Sequence, residues 1–130
     1  MTATTPKPCA FCALLPARVI DENATAIAIR DGYPVSPGHT LLIPRRHMVS
    51  FFELSPQERG DLLALLDRAK LALDSEFQPQ GYNIGINDGV AAGQTVPHLH
   101  VHLIPRYDGD VPDPRGGVRW VIPDRAKYWL

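Results

Sequence analysis

His98-Leu99-His100-Val101-His102-Leu103, directly after Gly93-Gln94-Thr95-Val96-Pro97, sets three imidazoles at alternate positions inside an apolar run. Side chains of a strand alternate between its faces, so positions 98, 100 and 102 are expected on one face and Leu99, Val101 and Leu103 on the other. With a rise of about 3.3 Å per residue, neighbouring imidazoles start roughly 6.6 Å apart, a span that fits around one phosphate or one metal ion. Three of the chain's five histidines lie here, and histidine is the side chain best suited to neutral-pH proton transfer and metal ligation. A surface strand that merely carries polar residues is the plain alternative; the concentration of histidine favours chemistry.

The flanking segments supply a frame for this strand. Tyr82-Asn83-Ile84-Gly85-Ile86-Asn87 alternates and breaks at Asp88-Gly89, giving a strand joined to the histidine run by a Gly, Ala and Gln loop short enough for an antiparallel hairpin. The histidine strand is expected to run to Ile104 and to close at Pro105. Upstream, Ser55-Pro56-Gln57-Glu58 offers a capping serine, proline at the first helical position and glutamate three after the cap. Leu62, Leu65, Leu66, Ala69, Ala72, Leu73 and Phe77 then repeat at helical spacing, and Pro79-Gln80-Gly81 ends the helix. Thr40-Leu41-Leu42-Ile43, between Pro37-Gly38 and Pro44, reads as a strand buried on both faces. Thr25 to Arg30 reads as another, followed by a turn at Asp31-Gly32-Tyr33-Pro34. Val118 to Ile122 is either an edge strand or an arm. Helices and strands segregate, so the expected fold class is α+β, an antiparallel sheet of about five strands with one long helix packed on it.

A chain of 130 residues with 45% apolar content suits a single domain spanning 1–130, with a core of about 9–107 and an extension over 108–130. Thirteen Lys and Arg against 14 Asp and Glu leave no basic field for a nucleic-acid backbone, although a mono- or dinucleotide remains possible. Met1 to Pro8 is not followed by a long apolar stretch, so neither a signal peptide nor a membrane span is indicated and a cytoplasmic location is expected. In that compartment Cys9-Ala10-Phe11-Cys12 is a pair of thiols or metal ligands rather than a structural disulfide. A redox pair would call for a thioredoxin-like βαβ pattern, which does not follow it.

Gly93-Gln94-Thr95-Val96-Pro97-His98-Leu99-His100-Val101-His102-Leu103-Ile104-Pro105-Arg106 resembles the signature of the histidine-triad (HIT) superfamily. Pro34 to Pro44 with His47 is similar to an earlier block of that family, and Asn87-Asp88-Gly89 to its loop before the triad, so the likeness spans roughly residues 9 to 107. The resemblance implies a nucleotide hydrolase or nucleotidyl transferase, a homodimer, and an antiparallel sheet with one long helix. The unpaired edges of so small a sheet are compatible with dimerisation.

The implied chemistry is hydrolysis of a nucleoside 5′-phosphate derivative, either a dinucleoside polyphosphate or an adenosine phosphoramidate. A neutral imidazole is a usable nucleophile at physiological pH, and the resemblance makes His100 that nucleophile, forming a nucleotidyl-histidine that water then cleaves. Its second ring nitrogen is implied to be held by a nearby backbone carbonyl. His102 is placed to meet a phosphate oxygen or the leaving group. Asn87, Thr95 and Gln94 are implied substrate contacts, Gln94 with the alternative of holding the backbone turn. Asp31 is implied to accept from the ribose hydroxyls, with a turn aspartate as the alternative. His39 is implied to stand behind the triad, or is a half-buried histidine at a strand start. Arg106 either meets a distal phosphate or is solvated. Some branches of the family carry structural zinc, and their ligand positions match Cys9, Cys12, His47 and His98, a closed shell of two thiolates and two imidazoles. Competing readings are a transferase using phosphate or a sugar phosphate as acceptor, a nucleotide-binding regulator with incidental hydrolysis, and a catalytic metal held by His98, His100 and His102 together. Trp120 and Trp129 are left without a role.

Overall fold

A computed structural model describes residues 9–130, so the expectation drawn from residues 1–8 lies outside the described residues. Five strands, β1 (Val19–Glu22), β2 (Ala26–Arg30), β3 (Thr40–Pro44), β4 (Gly81–Gly85) and β5 (Val101–Arg106), form one sheet in the order β1-β2-β3-β5-β4, with every neighbouring pair antiparallel. The long helix α1 (Pro56–Phe77) lies between β3 and β4 in the chain, and a short α2 (Pro123–Ala126) lies near the C-terminus. The α+β class and the five-stranded sheet with one long helix agree with expectation. No helix among the described residues is long and apolar enough to cross a membrane.

Helix α1 begins as its sequence dictates: the Ser55 hydroxyl accepts from the Glu58 N–H (3.1 Å) and the Glu58 carboxylate accepts from the Ser55 N–H (2.9 Å). It ends one step earlier than the proline, where Gln78 adopts the left-handed conformation (φ 53°, ψ 50°) and donates its N–H to the Leu73 carbonyl. Leu62, Leu65, Ala69 and Leu73 are buried against Ala28, Leu42, Val101 and Leu103 of the sheet. Ala72 is exposed, one position off the stripe expected for it. The opposite sheet face carries Ile27, Ile29, Leu41 and Ile43, covered by Phe11, Leu14 and Val19. Since Val101 and Leu103 face the helix, alternation puts His102 on this second face.

Three expectations are corrected. The histidine strand begins at Val101, not His98. Extending the β3–β5 register past Leu42↔Val101 would bring Pro44 opposite Leu99, and a proline has no N–H to give the ladder. The segment is held instead by the Leu99 N–H on the Met48 carbonyl (2.8 Å). β4 and β5 are paired, but residues 86–100 and a 3-10 turn at Val90–Ala92 separate them, so they are not a tight hairpin. Finally, Val118 to Ile122 is not an edge strand: Gly116 (φ 95°) and Gly117 (φ 45°) turn the chain into a 3-10 helix over Gly117–Val121. Gly117 lies so close to β4 that a Cβ there would sit 3.2 Å from the Asn83 amide nitrogen. The fifth strand is instead β1, at the edge of the sheet, whose four residues carry no strand signal of their own.

Candidate active site and metal centre

The three histidines of the run have separate surroundings. His98 is fully buried, and its Nε2–H donates to the Pro44 carbonyl (2.8 Å), the acceptor left free where the ladder stops. Its Nδ1 therefore carries the lone pair. Burial holds the ring below the ordinary histidine range despite that hydrogen bond, so it stays neutral. The Nδ1 atom lies 3.4 Å from the Cys9 sulfur, 3.4 Å from the Cys12 sulfur and 3.3 Å from His47 Nδ1, and Cys12 is 3.2 Å from His47.

All four donor atoms lie within 4.8 Å of one another. Zinc bonds of about 2.0–2.3 Å separate the donors of a tetrahedral shell by roughly 3.3–3.8 Å, so these residues fit a closed two-thiolate, two-imidazole site. The His98 to Pro44 hydrogen bond is the outer contact that fixes the tautomer such a ligand needs.

His100 donates its Nδ1–H to the His98 carbonyl (2.9 Å). A neutral ring so held has its lone pair on Nε2, the form required of an imidazole nucleophile. Phe11, from the Cys-x-x-Cys loop, packs its ring edge-on to His100 at 4.9 Å between centroids. Nothing in its residue type points to this contact; the position of Phe11 between two cysteines is the one signal the sequence carries.

His102 belongs to a chain of three groups. The Val35 N–H donates to His39 Nδ1 (3.2 Å), which leaves the proton of the neutral His39 ring on Nε2. That atom lies 3.0 Å from His102 Nδ1 and 3.4 Å from the Asp31 carboxylate. His102 thus accepts at Nδ1 and keeps its own proton on Nε2. Desolvation, followed by the neighbouring His100 and His39 rings, pushes His102 down to about 4, and burial lowers His39 as well. At neutral pH His102 is therefore an uncharged N–H donor. Asp31 also accepts from the Tyr33 N–H (2.8 Å), so the turn role is present alongside its contact with His39.

The loop before the triad divides the remaining candidates. The Gln94 side chain accepts from the Gly89 N–H (2.9 Å) and donates to the Val49 and Val96 carbonyls, which is the turn-holding alternative; it has no amide hydrogen left for a substrate. Asp88 ties the same loop to the start of a 3-10 turn by accepting from the Phe51 N–H (2.8 Å) and the Ser50 hydroxyl (3.1 Å). Asn87 is exposed and lines a cleft with His39 and His102; Thr95 is exposed and lies outside that lining. Arg106 is partly exposed but not free: it is paired with Asp110 at 2.7 and 2.8 Å and donates to the Asn83 amide oxygen. A single metal shared by His98, His100 and His102 does not fit, because His98 joins Cys9, Cys12 and His47 while His102 joins Asp31 and His39.

Residues 14–109 match the family model described as the HIT domain. The chain belongs to the HIT family. Relatives within it include a HIT-like protein of Mycoplasma genitalium, 37% identical over 112 residues that make up 83% of this chain and 79% of the relative. The asymmetrical bis(5′-nucleosyl)-tetraphosphatase of Schizosaccharomyces pombe is 46% identical over 77 residues, 59% of this chain and 42% of that enzyme. Among solved HIT structures, a zinc-bound histidine triad family protein from Mycobacterium smegmatis is 35% identical with a TM-score of 0.72, covering 92% of this chain and 94% of that one.

Proposed function

We propose that this HIT protein hydrolyses a nucleoside 5′-phosphate derivative through a covalent nucleotidyl-histidine on His100. The observation that carries the reading is the hydrogen bond from His100 Nδ1 to the His98 carbonyl, which leaves Nε2 as the nucleophilic nitrogen. In the first step the Nε2 lone pair forms a bond to the α-phosphorus, and the bond from phosphorus to the leaving group breaks. Its electron pair departs with the leaving group, which is protonated from solvent. Water then attacks the same phosphorus and loses a proton to solvent, while the bond from phosphorus to Nε2 breaks and its electron pair returns to that nitrogen. The product is the nucleoside monophosphate. The uncharged His102 Nε2–H, with Asn87 and Thr95, donates to the phosphoryl oxygens, where such contacts gain most as charge develops. Asp31 receives the ribose hydroxyls.

Cys9, Cys12, His47 and His98 hold a structural zinc in this reading, supported by their spacing and by the zinc-bound Mycobacterium relative. The metal would supply cross-linking of the N-terminal loop to the start of the triad. A homodimer across the β4 edge is supported by half-exposed Ile84 and Leu63 beside that strand. The reading places the protein in the cytoplasm, a reducing compartment in which Cys9 and Cys12 stay available as thiolate ligands.

The test is incubation with labelled adenylated compounds, trapping of an acid-labile adduct, and comparison of wild type with His100→Ala. Wild type is expected to release AMP and to carry label on protein; the variant does neither. Undiminished turnover by His100→Ala removes the nucleophile assignment.

A further inference from the structure

The four residues of the cysteine cluster do not share one environment. His98 lies at its inner end, fully buried, and Cys9 is half-buried, whereas Cys12 and His47 are exposed. Cysteines sealed in protein are inert, but a thiolate turned toward water is open to attack on an electrophile from solvent. Thiolate character and exposure together set susceptibility to oxidation, and Cys12 has both when it ligates a metal. The sequence holds two cysteines, and both are here as free thiols. Their sulfurs each lie 3.4 Å from the same nitrogen, His98 Nδ1, at the two ends of one turn that the Ala13 N–H closes on the Cys9 carbonyl (3.1 Å). An oxidised Cys12 therefore has its resolving partner beside it.

Phe11 lies inside that turn. Its ring packs edge-on to His100 at 4.9 Å and to His98 at 6.0 Å between centroids, and it helps to cover Ile27, Ile29, Leu41 and Ile43. Two sulfurs that share a zinc ion stand roughly 3.8 Å apart, and a direct bond brings them closer by about 1.7 Å. The neighbouring backbone is anchored without any metal, because His98 keeps its Nε2 hydrogen bond to Pro44 and Leu99 keeps its bond to Met48. Tightening of the turn is thus taken up at Phe11, and His100 is the ring it rests on.

We propose that Cys9 and Cys12 form an oxidant-responsive modification site, which reacts with a peroxide to give a disulfide, and that Phe11 passes the change to His100. The Cys12 thiolate attacks one oxygen of hydrogen peroxide, the O–O bond breaks, and its electron pair leaves on the other oxygen, which a solvent proton converts to water. Cys12 is then a sulfenic acid. The Cys9 thiolate attacks the Cys12 sulfur, the S–O bond breaks, and the departing hydroxide takes a second solvent proton. Two thiolates have lost two electrons, and the peroxide has been reduced to two waters. The cluster is left with two imidazoles, His47 and His98, too few to hold zinc. No thiol exchange with a protein substrate is involved, so the absence of a thioredoxin-like βαβ pattern is no obstacle. As regulation of turnover at His100 the switch rests on the hydrolase reading; as a rearrangement of the His100 ring it stands apart from it.

The test treats zinc-loaded protein with hydrogen peroxide and follows zinc captured by a chromogenic chelator, free thiols, intact mass and the histidine ring signals in NMR spectra. Expected are release of about one zinc per chain, loss of both thiols, a mass lower by two hydrogens, and reversal by dithiothreitol with zinc. The His100 ring signals shift as the disulfide forms, and AMP release from adenylated compounds falls several-fold with the same time course. In Phe11→Leu the disulfide still forms while the His100 shift is largely lost; if that variant does not fold, the wild-type signals decide alone. Survival of zinc and both thiols under peroxide, oxidation of Cys12 to a sulfinic acid with Cys9 left free, or His100 signals that stay in place when the disulfide forms would each overturn the inference. A His100 shift of full size in Phe11→Leu, or protein that takes up no zinc, would do the same. Reduced, zinc-loaded protein that releases no AMP from any adenylated compound removes the hydrolase reading, whereas a disulfide with a His100 shift in that same protein supports this inference.

Discussion

Gly38→Ala is the perturbation whose magnitude follows most directly from the structure. Gly38 has φ of 88° and immediately precedes His39 and β3. A Cβ there would lie 2.8 Å from a methyl carbon of Leu73 and 3.1 Å from the Phe77 ring. Leu73 is fully buried, so it cannot swing aside without disturbing α1 against the sheet. The left-handed conformation costs an alanine about 1–2 kcal/mol, and overpacking adds about 1–3 kcal/mol. For a chain of 130 residues, an unfolding entropy of about 2.1 cal/mol/K per residue converts the combined 2–5 kcal/mol into a fall in Tm of roughly 7–18 °C. Gly60→Ala is the matched control: Gly60 lies within α1 on its exposed side, with nothing inside 4 Å of an added Cβ. Helix propensity there predicts a gain of about 0.5–1 kcal/mol, or about 2–4 °C. Differential scanning calorimetry of both variants measures the pair. A fall of less than about 2 °C in Gly38→Ala would refute the claim that this turn is packed against the helix.

Two further outcomes follow from the site. Desolvation and the His100 and His39 rings depress His102 to about 4, so folding favours its neutral form. That contribution to stability is complete above the unfolded value near 6.5 and is lost as pH falls toward 4; an NMR titration midpoint at 6 or above would contradict the buried His39–His102 contact. Elemental analysis of protein purified without added metal should find about one zinc per chain, and Cys12→Ser should reduce it to below about a tenth, whereas a zinc-free wild type sinks the four-ligand site.

The parts of the fold that were legible are those where one local signal dominates. The α1 start was written in Ser55, Pro56 and Glu58, and β3 in an apolar run between prolines, because capping and burial act within a few residues. β1 was not legible because it is a short edge strand, half in water, with an irregular register between Val19 and Asp21. Val118 to Ile122 has strand-like composition, yet Val118, Val121 and Ile122 are all more than half exposed and two preceding glycines take positive φ. Composition reports what a segment would bury, and here it buries little. In the site, residue types pointed to His98, His100 and His102, but the contacts that distinguish them come from distant segments: Cys9 and His47 for the first, the His98 carbonyl for the second, His39 for the third. The pairing of Arg106 with Asp110 had no sequence signal beyond a four-residue spacing in a segment without helical pattern.

The break in the ladder at Pro44 is what makes three alternate histidines inequivalent. A regular strand would have presented them to one ligand at equal intervals. Because Pro44 cannot continue the pairing, its carbonyl takes the His98 ring, and the backbone of His98 is left to accept from His100. The His98 side chain thereby reaches the Cys9, Cys12 and His47 cluster while its main-chain oxygen orients the adjacent imidazole. Any change that loosens His98 removes the acceptor that keeps the His100 proton on Nδ1, and with it the preference for a lone pair on Nε2. The Cys-x-x-Cys loop contributes a second restraint, since Phe11 packs edge-on to the His100 ring as well as to His98. Disruption of the cysteine cluster should therefore be read at His100, and in the small cluster of Ile27, Ile29, Leu41 and Ile43 that Phe11 helps to cover, before it is read in the larger core on the other face of the sheet against α1.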